Sequence, residues 1–206
     1  MDQLAEISSL LALSMGVAWA SGINLYAAVF MLGWMANTGN VTLPPDLLIL
    51  ADPMVMIAAG FMYCVEFFAD KVPGVDTGWD ALHTFIRIPA GAILAAGAVG
   101  DIGAGAQLAA ALVGGSIAAG SHAFKSGSRV LINTSPEPVT NWTASVAEDI
   151  AVIGGLWAAL NHPAWFLLGL ALFILLLVWL LPKLWRGIKR VFGAIAGFFS
   201  GKSAEA

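Results

Sequence analysis

Phe166-Leu167-Leu168-Gly169-Leu170-Ala171-Leu172-Phe173-Ile174-Leu175-Leu176-Leu177 carries no polar side chain. Continued back to Pro163 and on to Leu181, the stretch reaches the ~20 apolar residues that a helix needs to cross hydrocarbon. It is too long for a buried strand, and it lacks the polar stripe of a helix facing water. Reading outward on the same scale gives five more segments, at about 7–35, 53–68, 80–99, 107–124 and 143–160, ahead of this one at 163–181. The expected fold class is all-α, a polytopic membrane helix bundle of about six spans. Spans two and four are short or glycine-rich, and a re-entrant course is the alternative for each.

Composition points the same way. Of 206 residues, 59% are hydrophobic and 11% charged, against about 45–50% and about 25% in soluble domains. The 23 glycines gather in apolar stretches such as 91–97 and 114–120. In water they weaken helices, whereas in a bilayer they let helix backbones approach closely. The single cysteine, Cys64, excludes an intrachain disulfide and reads as a small core thiol. Asp2 and Glu6, with no Lys or Arg beside them, do not make the basic start of a cleavable signal peptide. No nucleotide-binding loop is present, and nucleic acid is not an expected partner.

Between the spans lie Asn37-Thr38-Gly39-Asn40, Pro44-Pro45-Asp46, Pro73-Gly74-Val75-Asp76-Thr77-Gly78, Gly100-Asp101-Ile102-Gly103, Thr134-Ser135-Pro136-Glu137-Pro138 and Asn161-His162-Pro163. Asp80 is expected to cap the third span and Pro89 to kink it. The basic residues stand at 71, 87, 125, 129, 183, 186, 189, 190 and 202. With six spans and a cytoplasmic N-terminus, all of them fall on one side, so both termini are expected in the cytoplasm. Beyond residue 182, Leu184, Trp185, Ile188, Val191, Phe192, Ile195 and Phe199 recur at helical spacing among Lys183, Arg186, Lys189 and Arg190. The expected organisation is a transmembrane domain over 1–182 and a basic amphipathic tail over 183–206 on anionic lipid, with 202–206 disordered. Each half orders a small-residue helix, a helix with acids (Glu66 and Asp70; Glu148 and Asp149) and a third helix. That order is compatible with an inverted three-plus-three repeat.

The remaining polar residues concentrate between Glu66 and Arg87 and between His122 and Asp149. Glu66 and Asp70 share a helix face, as do Asp80, His83 and Arg87, then His122, Lys125 and Arg129, then Ser145 and Asp149. Four helix ends thus turn polar stripes to the same predicted side. Ionisable residues in spans usually mark ion or substrate pathways, so the expectation is a water-accessible vestibule lined by Glu66, Asp70, Asp80, His83, Arg87, His122, Arg129, Glu148 and Asp149. Lys71, Asp76 and Glu137 read as ordinary loop charges. Asn24 lies mid-span after Ser21-Gly22, where a broken helix would expose a midplane binding site; an interhelical hydrogen bond is the plainer reading. Compact metal-ligand spacing is missing, so neither a metal nor another cofactor is expected. Trp34, Trp79, Trp142, Trp165, Trp179 and Trp185 sit near span ends, as interfacial anchors.

Glu66-Phe67-Phe68-Ala69-Asp70-Lys71-Val72-Pro73, Asp76, Trp79-Asp80, His83-Thr84 and Arg87-Ile88-Pro89-Ala90-Gly91 resemble a family of small bacterial membrane proteins known as domain of unknown function 4126. The resemblance extends to Ser21-Gly22-Ile23-Asn24-Leu25-Tyr26 and to Ser135-Pro136-Glu137-Pro138. It implies a bacterial inner-membrane location and supplies no activity. Glu66 and Asp70, with Ser126-Gly127-Ser128-Arg129, are also similar to elements of polyprenyl-pyrophosphate phosphatases, although Asp stands for the second Glu and the proline-glycine lead-in is absent. The expected function is a small secondary transporter or channel-like permease, possible as a homo-oligomer. There the carboxylates bind protons or cations, His83 and His122 titrate, and the arginines engage an anion or neutralise carboxylates. A membrane-embedded hydrolase of a lipid phosphate and a structural subunit of a membrane complex are the alternatives.

Overall fold

The computed structural model describes residues 2–134 and 138–199. Glu137, most of the Ser135-Pro136-Glu137-Pro138 turn, and the end of the tail from 200 lie outside the described residues. Six α-helices follow in order: α1 (Asp2–Asn37), α2 (Pro53–Ala69), α3 (Val75–Gly97), α4 (Ala104–Ile132), α5 (Pro138–Asn161) and α6 (Pro163–Phe199). Short 3-10 turns cover Pro45–Ala51 and Gly100–Ile102, and no strand occurs among the described residues. Four segments, Gln3–Asn37, Ala104–Ile132, Val139–Asn161 and Pro163–Gly193, are long and apolar enough to cross a membrane. The Pro45–Ala51 turn and α2, bent by 65°, form a broken fifth.

The bundle is inside out relative to a soluble protein. On α3, Asp76, Asp80, His83 and Arg87 are buried, whereas Leu82, Phe85 and Ile93 face outward, Phe85 at 82% exposure. Charged residues are almost never fully buried in water-soluble proteins. The distribution is that of a membrane-spanning protein, in which hydrocarbon tolerates the apolar rim and charges turn inward. The same inversion accounts for Cys64, which is exposed on the outer face of α2 and is not a core thiol. Trp34, Trp142, Trp165, Trp179 and Trp185 are likewise exposed.

The first predicted span is two arms joined at a break. Asn24 leaves helical geometry at φ −146°, ψ 93°, and its Oδ1 accepts the amide of Ala27 at 2.9 Å, capping the second arm as an N-cap residue does. The first arm runs along α3, with Ser14 Oγ donating to the Ala95 carbonyl at 2.9 Å and Ser21 Oγ to the Arg87 carbonyl at 2.8 Å. The second arm turns back: Asn37 Nδ2 donates to the Ala51 carbonyl at 2.8 Å, and Gly33 packs on the Leu50 carbonyl. Consequently Glu6 and Ser9, before the break, share one cavity with Val41 and Thr42, after it. α1 is therefore a hairpin whose tip stops inside the bundle, and it replaces the single crossing expected from length alone.

The far end of the molecule is built by the other helices. Gly127 lies against Leu184 and Gly187 against Leu131, so the basic tail continues α6 in one helix and packs on the last turns of α4. The N-terminal turns of α1 and the C-terminal turns of α6 thus lie at opposite ends of the bundle. Six full passes along the bundle would have put them at the same end; the turn at Asn24 removes one. α3 also begins earlier than expected. Gly74, at φ +85°, starts it, and Asp76 Oδ1 accepts the amides of Gly74 and Thr77 at 3.0 and 2.6 Å. Asp80 is therefore inside the helix and is not its cap.

The hairpin tip is held by close packing. A Cβ on Gly22 would meet Ser121 Oγ and the Ala118 carbonyl of α4, and Cβ atoms on Gly91 and Gly114 would meet Ala118 and Ala95. Such small-residue contacts drive helix association where the hydrophobic effect cannot. Gly22→Val is expected to lower unfolding stability in micelles by about 1–3 kcal/mol. Gly154→Ala, whose Cβ would meet nothing within 4 Å, is expected to leave it unreduced, as checked by thermal unfolding followed by circular dichroism.

Candidate functional site

α2, α3 and α4 bring their polar stripes to one buried centre. Arg87 is its hub: Nη2 donates to Glu66 Oε1 at 2.6 Å and Nη1 to Asp80 Oδ1 at 2.9 Å, and all three side chains are at 0% exposure. The Lys125 ammonium binds Glu66 Oε1 at 3.1 Å and Asp70 Oδ2 at 2.8 Å. Arg129 forms a two-pronged pair with Glu148, Nε to Oε1 at 3.2 Å and Nη2 to Oε2 at 2.7 Å. Its remaining nitrogen, Nη1, donates to the carbonyls of Asp70 and Asn141 and to Asn141 Oδ1. These are charge-assisted bonds at short range, the strong kind.

Both histidines sit within this network, and their protons follow from their partners. His83 Nδ1 lies 2.8 Å from the Trp79 carbonyl, which only accepts, so this nitrogen carries the hydrogen. Nε2 then accepts from the Tyr26 hydroxyl at 3.0 Å, and the ring stacks on Trp79 at 4.3 Å. Thr84 Oγ1 donates to the Asp80 carbonyl, so it accepts from His122 Nε2 at 2.7 Å, leaving Nδ1 to accept from Arg87 at 3.3 Å. Each ring is fully satisfied as the neutral form.

Asn24 and Asp149 occupy the next position, where the hairpin tip meets α5. Asn24 Nδ2 donates to Asp149 Oδ1 at 3.0 Å. Both readings of Asn24 hold at once, since the helix breaks there and the side chain bonds another helix. Two further residues enter that the loop reading had set aside, and a third that stood on a polar face but not among the vestibule residues. Lys71 is buried, donating to the Phe67 carbonyl at 2.9 Å and to Ser145 Oγ at 3.3 Å, and burial pulls its pKa below the usual lysine value. Asp76 is buried and accepts from Asn133 Nδ2 at 2.7 Å. Lys125, whose i, i+3 relation to His122 placed it on the right face, proves central. Asn133 and Asn141, which fasten the end of α4 to α5, gave no signal in the sequence beyond being polar.

The residues expected to line an open vestibule instead close on one another. Six carboxylates, Glu66, Asp70, Asp76, Asp80, Glu148 and Asp149, face four cations, Lys71, Arg87, Lys125 and Arg129; Glu148 is the most exposed of the six carboxylates, at 18%. Glu66 Oε2, Asp70 Oδ1, Asp76 Oδ2, Asp80 Oδ2 and Asp149 Oδ2 are buried without a hydrogen-bond partner. Formal charge therefore leaves two negative charges in excess, in a place where unpaired ions are costly. Among the described residues, no group of three or more His, Cys, Asp or Glu is placed to hold a metal ion. Removing one partner of a buried pair strands the other, at about 3–5 kcal/mol. Arg87→Ala is expected to lose about that much stability, and adding Glu66→Gln and Asp80→Asn to Arg87→Met to restore most of it, measured by denaturant unfolding in micelles.

No curated protein and no solved structure matches the chain. The family described as Domain of unknown function (DUF4126) matches residues 11–183. That span takes in the hairpin tip and every helix that contributes to the buried ionic centre, and the chain belongs to this family.

Proposed function

We propose that the protein is a small secondary transporter or channel-like permease whose pathway passes the tip of the α1 hairpin and the buried ionic centre behind it. The observation that carries the reading is the broken helix at Asn24, bonded at its tip to a buried carboxylate. A helix stopped inside a bundle leaves backbone groups free beside polar side chains, the way discontinuous helices build ion and solute sites. At the far ends of the hairpin arms, away from the tip, lies a cavity of about 610 Å³ lined by Glu6, Ser9, Thr42 and Asp101. At the tip itself lies the closed network. The arrangement fits an occluded state, in which ion pairs must exchange partners before anything passes.

Hydrolysis of a lipid phosphate is less well supported. Arg87 and Arg129, the residues that would hold phosphate, spend their donors on Glu66, Asp80, Glu148 and backbone carbonyls. A phosphate would have to displace carboxylates already in short contact.

The end that holds Glu6, Asp46 and Asp101 has no Lys or Arg among the described residues, while the opposite end carries Lys71, Arg129 and the tail. The positive-inside rule places the tail end in the cytoplasm of a bacterial inner membrane and the N-terminus across it. In cells carrying Cys64→Ala, a cysteine introduced by Glu6→Cys is expected to react with a membrane-impermeant maleimide from outside, and one introduced by Lys189→Cys only after lysis. Labelling of both, or neither, from outside overturns this topology.

In proteoliposomes tested against a panel of ions and small solutes, the protein is expected to support flux above empty vesicles. Glu66→Gln and Asp149→Asn are expected to cut that flux at least about tenfold, equivalent to ~1.4 kcal/mol in the barrier. Flux that is absent throughout, or unchanged by both substitutions, removes the reading.

A further inference from the structure

Resting on the transport reading above, we infer that the species moved is the proton, and that Asp149 is the group that carries it past the hairpin tip. Asp149 differs from the other carboxylates of the centre. Glu66, Asp70, Asp80 and Glu148 each contact at least one arginine or lysine, and Asp76 Oδ1 collects several amide and hydroxyl donors. Asp149 makes no ion pair among the described residues. Oδ1 accepts a hydrogen bond from Asn24, while Oδ2 is buried with no donor in hydrogen-bonding geometry, the Tyr63 hydroxyl being close to the carboxylate without meeting that geometry; the residue is 8% exposed.

The groups that face it come from every element around it. Asn24 is on α1. Tyr63 and Asp70 approach from α2, and Lys71 from the connection that follows. Lys125 projects from α4, and Ser145 and Glu148 precede Asp149 on α5. The two lysines are engaged elsewhere, Lys71 with Ser145 and the Phe67 carbonyl, Lys125 with Glu66 and Asp70. An unpaired buried carboxylate with one vacant oxygen is best neutralised by a hydrogen on that oxygen. A metal ion needs several converging oxygens, and among the described residues no such group is placed here. A proton needs one.

The step is simple in its balance. Asp149 Oδ2 takes up one proton as an O–H bond from one side of the membrane and releases it to the other. No electron moves and no other bond is broken. The break at Asn24 supplies the alternation: while Nδ2 holds Oδ1 the carboxyl is closed off, and movement of the two hairpin arms relative to one another would open a path between the tip and the cavity at their far ends, beside Glu6 and Asp101.

Two readouts test this on the full-length protein in liposomes. Infrared difference spectra between acid and neutral pH are expected to contain a protonated-carboxyl band that Asp149→Asn removes and Asp149→Glu shifts in frequency. An entrapped pH dye is expected to report collapse of an imposed pH gradient, lost in Asp149→Asn and kept in Asp149→Glu. The glutamate variant decides the band's assignment if the asparagine variant does not fold. A band that depends on residue 149 without any flux upholds the proton site and removes the transport reading. Flux driven by a sodium gradient, with infrared bands indifferent to residue 149, upholds transport and overturns the proton. Bands indifferent to both substitutions overturn the assignment of Asp149.

Discussion

Arg87 sits between Glu66 and Asp80, and all three side chains are fully buried. In a bundle with an apolar rim, that guanidinium has no route to the interface by which a longer, freer side chain could reach headgroups. Its charge must be met where it stands, and meeting it fixes the positions of α2 and α3. Lys125 and Arg129 extend the same requirement to α4 and, through Glu148, to α5. Four helices are thus registered against one another by charge, at the depth where apolar contacts between lipid-like surfaces would leave them free to slide.

The hairpin solves a complementary problem. Stopping a helix inside a bundle frees backbone donors and acceptors that hydrocarbon cannot satisfy. Here the Ala27 amide, at the start of the returning arm, is met at the tip itself. Asn24 caps the returning arm with its oxygen and grips Asp149 with its nitrogen. Ser121 reaches the Trp19 carbonyl from α4 at 3.0 Å. Gly22 permits that approach, since any side chain there would collide with α4. The sequence Ser21-Gly22-Ile23-Asn24 is therefore best understood as a turn written in residues that also serve as helix packing.

Much of this was legible from residue order. The apolar run at 166–177 reads as a spanning helix because no other state accommodates it, and the i, i+3, i+7 spacing of Asp80, His83 and Arg87 places them on one face whatever the helix packs against. What sequence could not supply was direction. A 36-residue apolar helix and a hairpin of two shorter arms have the same composition over residues 2–37, and it is the backbone break at Asn24, with Glu6 and Val41 brought to one cavity, that tells them apart. The same limit hid the burial of Lys71 and Asp76. Each lies at a helix end, where charges usually meet water; here Asp76 is buried in the first turn of α3 and Lys71, just after α2, beside Ser145 of α5. Charge spacing identified the participants and tertiary contact decided which of them is closed off.

Direction also bears on how the ionic centre could work. Carboxylates outnumber cations within it, and the imbalance is not spread evenly. Where α2, α3 and α4 meet, every arginine and lysine is shared between acids, so moving one cation alters the field at two or more carboxylates together. Lys125 is the extreme case, within 4 Å of Glu66, Asp70, Asp80 and Glu148. Asp149, at the hairpin tip, stands outside that sharing. A charge gained or lost there lies beside Glu148 in the chain and within the field of Lys125, whose ion pairs link Glu148 of α5 to Glu66 of α2 and Asp80 of α3. The helix that is broken and the carboxylate that is unpaired therefore meet at one point, and a change at that point reaches every helix that the charges hold in register.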